Sequence, residues 1–209
     1  MVWSCLVSIL PGMAQTEKLT DYVNPFVGTD GYGNVYPGAQ IPFGGIQISP
    51  DTDSRFYDAA SGYKYNHLTL MGFSLTHLSG TGIPDLGDFL FIPGTGEMKL
   101  EPGTHEDPDQ GYRSRYSHDK EWASPNYYAV ELADYGVKAE MTSGVRSGMF
   151  RFTYPESDNA FIMIDMNHTL WQSCEWSNLR MINDSTITGY KLVKGWGPER
   201  HVYFTATFS

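Results

Sequence analysis

The sequence features with the most obvious chemical potential lie in a glycine-rich segment, His77–Gly82, which reads His-Leu-Ser-Gly-Thr-Gly. A serine hydrolase needs its nucleophile in a Gly-x-Ser-x-Gly turn. Neither Ser74 nor Ser79 has a glycine two positions before it and two positions after it. A nearby histidine is not evidence of a catalytic triad, because triad members are recognised by geometry. The local sequence therefore favours a turn in which His77 and the hydroxyl groups satisfy backbone groups.

A second glycine-rich segment, Gly28–Gly33, resembles a phosphate-binding loop only superficially. The spacing Gly-x-Gly-x-x-Gly fails because Tyr36 stands where the last glycine is needed, and no Gly-Lys-Ser/Thr follows. The sequence therefore does not favour nucleotide binding by this loop. We expect the loop to expose Tyr32, Asn34 and Tyr36, side chains suited to lining a polar pocket.

Carboxylates and histidines give no metal motif. Several acidic groups have oxygens that Ca²⁺ prefers, but none has the spacing of the helix–loop–helix calcium site. These groups are Asp51 with Asp53, Asp85 with Asp88, and Glu106 with Asp107 and Asp109. The six histidines lack the His-x-x-x-His spacing of many zinc sites. A glycosidase needs two carboxyl groups facing each other across a pocket, and spacing alone does not pair any two here.

Composition indicates a folded protein and is compatible with a neutral ligand, although many β proteins without a sugar ligand share it. The 209 residues are 41% hydrophobic, 18% charged and 14% aromatic, with 22 glycines and 12 prolines, which favours strands and turns. The net charge of −10 argues against nucleic acid, whose phosphates require clustered Lys and Arg. An acidic chain rich in Tyr and Trp is compatible with sugar binding.

The N-terminus predicts export, to the periplasm or outside the cell. Val2–Leu10 is an apolar run, although no Lys or Arg precedes it. The small residues Gly12 and Ala14 predict cleavage after Ala14, so that residues 1–14 form a signal peptide. The run is too short to span a bilayer, and we expect no membrane span.

The order of breaks and apolar runs predicts an all-β, antiparallel sandwich. Proline and glycine interrupt the chain up to about Pro108, and regular alternation begins at Asn126. The chain stops at Ser209 inside or just after a predicted strand, which predicts a sandwich that is incomplete at its C-terminus. The predicted strands are Gly45–Ile48, Asp88–Ile92, Tyr128–Ala133, Val137–Met141, Val145–Tyr154, Ala160–Asp165, Ser185–Val193 and His201–Phe208.

Ordered sequence blocks across the chain resemble glycoside hydrolase family 92, the exo-acting α-mannosidases. The resemblance covers residues 19–209, which we expect to be the family's N-terminal domain. The blocks that carry it include Tyr22–Thr29, Tyr36–Ala39, Ile41–Gly44, Gln47–Thr52, Ser61–Tyr65, Gly72–Ser74, Thr76–Gly82, Glu121–Pro125, Asp134–Glu140 and Gly195–Trp196.

This resemblance implies a β-sandwich of the supersandwich, galactose-mutarotase-like type that packs on a C-terminal (α/α)6 barrel. It also implies hydrolysis of mannose-containing oligosaccharides or N-glycans with inversion, in a Ca²⁺-dependent manner. In the family the acid and base carboxyl groups, and most Ca²⁺ ligands, belong to the barrel. The barrel is then a missing partner of residues 19–209, and no catalytic or metal-binding residue is assigned in this chain.

The resemblance implies a substrate-binding set of Tyr57, Asp58, Tyr32, Asn34 and His77. In α-1,2-specific members a Trp precedes the Ser-Gly-Tyr block, and Tyr57 stands at its position here. An aromatic face for stacking on a sugar is therefore kept, while the Trp that the resemblance associates with α-1,2 linkages is replaced. Tyr32 and Asn34 stand where histidine is common in the glycine-rich loop.

Three hypotheses follow from the sequence. The chain is the sugar-pocket half of a mannosidase, a free-standing carbohydrate-binding module without catalysis, or a structural remnant without a ligand. The first two differ in whether the gene product hydrolyses glycans.

Overall fold

The computed structural model describes residues 17–54 and 59–209, and the described ranges are almost entirely β-structure. They contain no α-helix, only short 3-10 turns such as Leu19–Tyr22, and no helix in them is long and apolar enough to cross a membrane. The predicted signal peptide, residues 1–14, lies outside the described residues, as do Tyr57 and Asp58.

Thirteen strands are described, and every pairing between them is antiparallel. In chain order they are β1 (Ser49–Asp51), β2 (Thr69–Leu70), β3 (Gly72–Ser74), β4 (Leu90–Thr95), β5 (Ser114–Arg115), β6 (Glu121–Ser124), β7 (Tyr127–Leu132), β8 (Val137–Ser143), β9 (Gly148–Thr153), β10 (Ala160–Asp165), β11 (Ser173–Asn183), β12 (Thr186–Lys194) and β13 (Arg200–Thr207). They form sheets with the orders β1-β3-β4-β10, β6-β7-β8-β9, β11-β12-β13 and β2-β5.

The main core lies between the first two of these sheets. Phe73 of β3 is fully buried and meets the rings of Phe150 and Phe152 from β9, with centroids 6.5 and 6.4 Å apart. Tyr128 of β7 and Met141 of β8 belong to the same apolar cluster. Strand β8 alternates strictly between buried and half-buried residues, as a strand with one face on a core must. The prediction of an all-β antiparallel sandwich is therefore confirmed.

The inner face of the β11-β12-β13 sheet packs against the β1-β3-β4-β10 sheet. Phe204 of β13 lies 4.5 Å from Phe89 and 5.9 Å from Phe91, measured between ring centroids. Lys191 of β12 is fully buried on the same face. This sheet therefore brings two cations, Lys191 and Arg200, and the ring of Phe204 to the start of β4, where the candidate site lies.

Most predicted strands are present within two or three residues of their expected bounds, and the strand at Gly45–Ile48 is the main correction. There the chain forms only an isolated bridge between Ala39 and Ile48, and strand β1 begins at Ser49. Pro50 was predicted to break regular structure, yet it lies inside β1. It is tolerated because β1 is an edge strand of its sheet, where one side of the backbone needs no ladder partner.

Candidate functional site

Four loops meet at one end of the sheets, and we call them the loop rim. The loop rim consists of residues 28–36, 75–89, 166–172 and 195–199. Backbone hydrogen bonds join the first three loops: the amide of Gly80 donates to the carbonyl of Asn34 (2.7 Å), and the amide of Leu170 donates to the carbonyl of Leu86 (2.9 Å). The two glycine-rich segments found in the sequence are therefore neighbours in the fold.

Asp85 joins the fourth loop to the second. Its Oδ2 accepts a hydrogen bond from the backbone amide of Trp196 (2.9 Å), and its Oδ1 accepts one from the amide of Leu86 (2.6 Å). A buried carboxylate that accepts backbone amides fixes the conformation of both segments. Asp85 is thus a structural residue of the rim.

Below the rim, Asp51 forms a buried hydrogen-bonded triad with two histidines. Its Oδ1 lies 2.7 Å from Nε2 of His77, and its Oδ2 lies 2.7 Å from Nε2 of His168. The other ring nitrogen of His77, Nδ1, lies 2.7 Å from the carbonyl oxygen of Gln47. A carbonyl oxygen only accepts, so Nδ1 carries a proton and donates it. The triad ties the end of β1 to two loops of the rim.

The charge state of Asp51 follows from these neighbours. Burial favours the neutral acid, but the attraction of His77 and the hydrogen bonds from His168 and His77 outweigh it. They hold the pKa of the Asp51 carboxyl well below its usual range. Gly62 gives the carboxylate room: its φ is +85°, and a Cβ there would collide with Asp51 Oδ1.

A second buried ion network lies beside the triad. Asp88 pairs with Lys191 (Oδ1 to Nζ, 3.1 Å) and with the guanidinium of Arg200, and it accepts the hydroxyl of Thr76 (2.7 Å). Lys191 Nζ also donates to the carbonyl of His168 (2.6 Å), which links the two networks. Loops distant in sequence are therefore held by one continuous set of buried charges.

The pKa values in this second network are shifted in opposite senses. Burial raises the pKa of Asp88, but Lys191 and Arg200 outweigh it and the pKa of the carboxyl is lowered. Burial lowers the pKa of the Lys191 amine, and the nearby Asp88 opposes that only in part. The charged form of Asp88 is therefore well stabilised, and the charged form of Lys191 depends on the nearby Asp88 carboxylate.

Acidification should destabilise the fold through Asp51 and Asp88. Both carboxyls have folded pKa values below the unfolded value, which is about 3.9 for Asp. Their stabilising contribution is fully present above about pH 4 and is lost as pH falls through the folded pKa values. We expect the urea midpoint to decrease from about pH 4 downward. A midpoint that stays constant from pH 5 to pH 2 would contradict this.

A cavity of about 320 Å³ opens at the rim beside the third loop. Its lining is largely uncharged and rich in hydrogen-bonding groups. The lining residues are Ser54, Met71, Pro102, Tyr112, Asp165, Asn167, His168, Thr169, Trp171 and Gln172. Asp165 accepts the hydroxyl of Tyr112 at 3.1 Å and the backbone amides of Asn167 (2.9 Å) and His168 (3.1 Å). The volume of the cavity is at the lower end of the range for small-molecule sites, roughly 300–1,000 Å³.

The described members of the predicted substrate-binding set occupy different environments. Tyr32 is 91% exposed, with Lys64 Nζ 5.9 Å from the centre of its ring. Asn34 is buried in the left-handed conformation (φ +50°), and its Oδ1 has no hydrogen-bond partner. His77 is buried, and Asp51 and Gln47 occupy its ring nitrogens. Its role as a sugar contact stays a prediction, while its role in the triad is visible.

Sequence reasoning missed two residues of this site. No sequence motif indicated a chemical role for His168, because its partner Asp51 lies 117 positions earlier in the chain. Trp171 gave no signal either, since neither its exposure nor its backbone conformation follows from its neighbours in sequence. Tyr57 and Asp58 lie outside the described residues, but Ser54, which precedes their segment, lines the cavity.

The described residues do not fit Ca²⁺. This ion takes six to eight oxygen ligands. Within residues 17–54 and 59–209, no group of three or more His, Cys, Asp or Glu is arranged to hold a metal. The buried carboxylates of Asp51, Asp85 and Asp88 are instead engaged by histidines, backbone amides and cations. No step of a reaction is therefore assigned to Ca²⁺ in this part of the chain.

Comparison with known families decides the identity of the domain. A model of the glycosyl hydrolase family 92 N-terminal domain matches residues 22–209. The chain belongs to glycosyl hydrolase family 92. The resemblance predicted from the sequence blocks is confirmed, and the match begins three residues after the predicted start at Leu19.

Individual proteins similar to this chain include a glycosidase and two solved members of family GH92. An uncharacterized secreted glycosidase of Arthroderma benhamiae is 30% identical over 139 residues, which are 66% of this chain and 17% of that protein. A solved glycosyl hydrolase of family GH92 is 29% identical with a TM-score of 0.73, over 89% of this chain and 26% of its own. An inverting GH92 mannosidase of Bacteroides thetaiotaomicron shares the fold, with 21% identity, a TM-score of 0.65 and 92% and 29% coverage. The chain thus spans less than a third of each relative.

Proposed function

We propose that this chain forms the sugar-binding wall of an exported exo-α-mannosidase. The enzyme hydrolyses terminal α-mannosyl linkages of mannose-containing oligosaccharides or N-glycans and inverts the anomeric configuration. Family 92 membership supports the glycosidase activity. The similarity to a secreted glycosidase supports export, together with the predicted signal peptide at residues 1–14.

The observation that carries the proposal is the loop rim, in which the loops with the family blocks Thr76–Gly82 and Gly195–Trp196 are joined to the loop 166–172, and that loop lines a largely uncharged cavity. Sugars are neutral and hydroxylated, so their sites need converging hydrogen-bonding groups and an aromatic surface. The rim has both, and the ion networks of Asp51 and Asp88 hold it in place from below. Binding groups that are held rigidly before the ligand arrives lose less entropy when it binds.

Hydrolysis with inversion requires two carboxyl groups about 6.5–9.5 Å apart. One protonates the departing glycosidic oxygen, and the other removes a proton from the water that attacks the opposite face of the sugar. No described carboxylate is given either role, and we expect both, with the Ca²⁺ ligands, in the family's (α/α)6 domain. This chain would bind and orient the sugar beside them.

Hydrolysis by the natural gene product tests this function. We expect release of mannose from α-mannobiose and from a chromogenic α-mannoside, and none from the matched β-mannoside. The β-mannoside is the control, because it has the same sugar and leaving group with the other configuration. Release from the β-mannoside alone would contradict the proposal. Binding of α-mannosides without hydrolysis would favour the carbohydrate-binding module instead.

A further inference from the structure

We propose that the cavity at the rim is a subsite for a single hexopyranose ring, and that Trp171 is its stacking face. Trp171 is 55% exposed and lines the cavity. A sugar ring has apolar C–H faces and a belt of hydroxyl groups, so it pairs an aromatic surface with hydrogen-bonding groups. The identity of that sugar as mannose rests on the proposed function, whereas the subsite rests on the geometry below.

The backbone presents Trp171 in an unusual conformation. Its φ is +76°, in the left-handed region that residues with bulky side chains rarely adopt. Such a conformation persists only where the surroundings impose it, and it is concentrated at ligand-binding sites. The preceding residue, Leu170, is fully buried, and its amide donates to the carbonyl of Leu86. The exposed indole is therefore attached to a backbone segment that burial and a hydrogen bond hold in place.

The residues on either side of Trp171 are also fixed. The hydroxyl of Thr169 donates to the carbonyl of Gln172 (2.8 Å), which closes a tight turn around the indole. The side-chain amide of Gln172 donates to the carbonyl of Pro84 (2.8 Å), and His168 is held by Asp51. Because every neighbour in the segment is held, the loop presents Trp171 in one defined position.

The lining indicates what class of ligand fits. Among the described lining residues there is no Lys or Arg, and the imidazole of His168 is already paired with Asp51, so an anionic ligand such as a phosphate has no available counter-charge. The Asp165 carboxylate accepts hydrogen bonds, as a sugar hydroxyl can supply. Neutral side chains with donors and acceptors, Ser54, Asn167 and Thr169, complete the wall. Met71 and Pro102 give it apolar surface. The cavity therefore favours a neutral, hydroxylated ring over an anion.

Isothermal titration of the 209-residue chain with methyl α-mannoside tests the subsite, with Trp171→Ala and Trp171→Phe as the informative variants. We expect Trp171→Ala to weaken binding about tenfold or more, which corresponds to about 1.4 kcal/mol. Trp171→Phe should stay within about threefold of the unsubstituted chain, because it keeps an aromatic face. The matched control is Trp122→Ala: Trp122 is 45% exposed, lies on β6 outside the rim and does not line the cavity, so its loss should leave binding unchanged.

The outcomes separate this inference from the proposed function. If the chain binds the mannoside and Trp171→Ala binds it equally well, the stacking role is wrong and the function stands. If the chain binds methyl α-glucoside or methyl α-galactoside but not the mannoside, and binding depends on Trp171, the subsite stands and the mannosidase function fails. If no hexoside binds, the subsite is overturned, and hydrolysis of α-mannosides by the gene product would still support the function. Circular dichroism melts of each variant show whether the fold is retained.

Discussion

Substitution of Asp51 by Asn should lower the free energy of unfolding by about 3–5 kcal/mol. Asp51 is fully buried and accepts hydrogen bonds from both His77 and His168. An Asn at this position has one acceptor oxygen in place of two, so one of the two buried imidazole N–H groups loses its hydrogen-bond acceptor. Removing one member of a buried, hydrogen-bonded polar network costs more than the network contributes, because the remaining groups are left unsatisfied. Urea unfolding at pH 7, followed by circular dichroism, measures the change.

The control for Asp51→Asn is the same substitution at an exposed ion pair. Asp109 pairs with Arg115 at 2.8 Å, and its side chain is 73% exposed. Exposed pairs are screened by water and salt, so Asp109→Asn should leave the urea midpoint unchanged. Equal shifts of the urea midpoint for Asp51→Asn and Asp109→Asn would show that the triad stabilises the fold no more than an exposed ion pair does.

We expect a similarly large loss, about 3–5 kcal/mol, for Asp88→Asn. This substitution leaves the buried amine of Lys191 without its carboxylate and leaves the guanidinium of Arg200 only Asp85, at 3.7 Å. Lys191→Met should cost less, about 1–3 kcal/mol, since Asp88 keeps Arg200 and Thr76. The effects should not add, because the two residues are in direct contact.

A double-mutant cycle measures that coupling. The variant with both Asp88→Asn and Lys191→Met should be more stable than the sum of the single losses predicts, by about 0.5–3 kcal/mol. The reason is that Met removes the buried cation that Asn leaves without a carboxylate. Strict additivity would mean that Lys191 is not stabilised by Asp88 in the folded protein. All four proteins need the same m-value for this comparison to hold.

Strands with one face on the core could be predicted, and strands without such a face could not. In β8, Val137, Ala139 and Met141 alternate with half-buried residues, so the period of two is visible in the sequence. Strand β11 has no buried residue along Ser173–Asn183, and its apolar residues do not alternate. Its strand conformation depends on pairing with β12, which is a tertiary effect.

Of the candidate site, only the loops that contain Asn34 and His77 could be predicted from the sequence. The family blocks indicated that Asn34 and His77 lie near the sugar, and the structure places their loops in contact. The partners of His77 could not be predicted, since ion pairs between residues distant in sequence leave no local pattern. The left-handed backbone of Trp171 could not be predicted either, because that conformation is atypical of tryptophan. The contribution of Tyr57 to linkage preference stays a prediction.

Proton NMR of the first sugar released from an α-mannoside by the gene product is the most direct test of the proposed activity. Inversion requires water to attack the face opposite the departing group, so β-mannose should appear first and then mutarotate to the equilibrium mixture. A spectrum recorded within the first turnovers that shows β-mannose in excess is the result we expect. An initial excess of α-mannose, which indicates retention, would contradict the assignment of this chain to an inverting α-mannosidase.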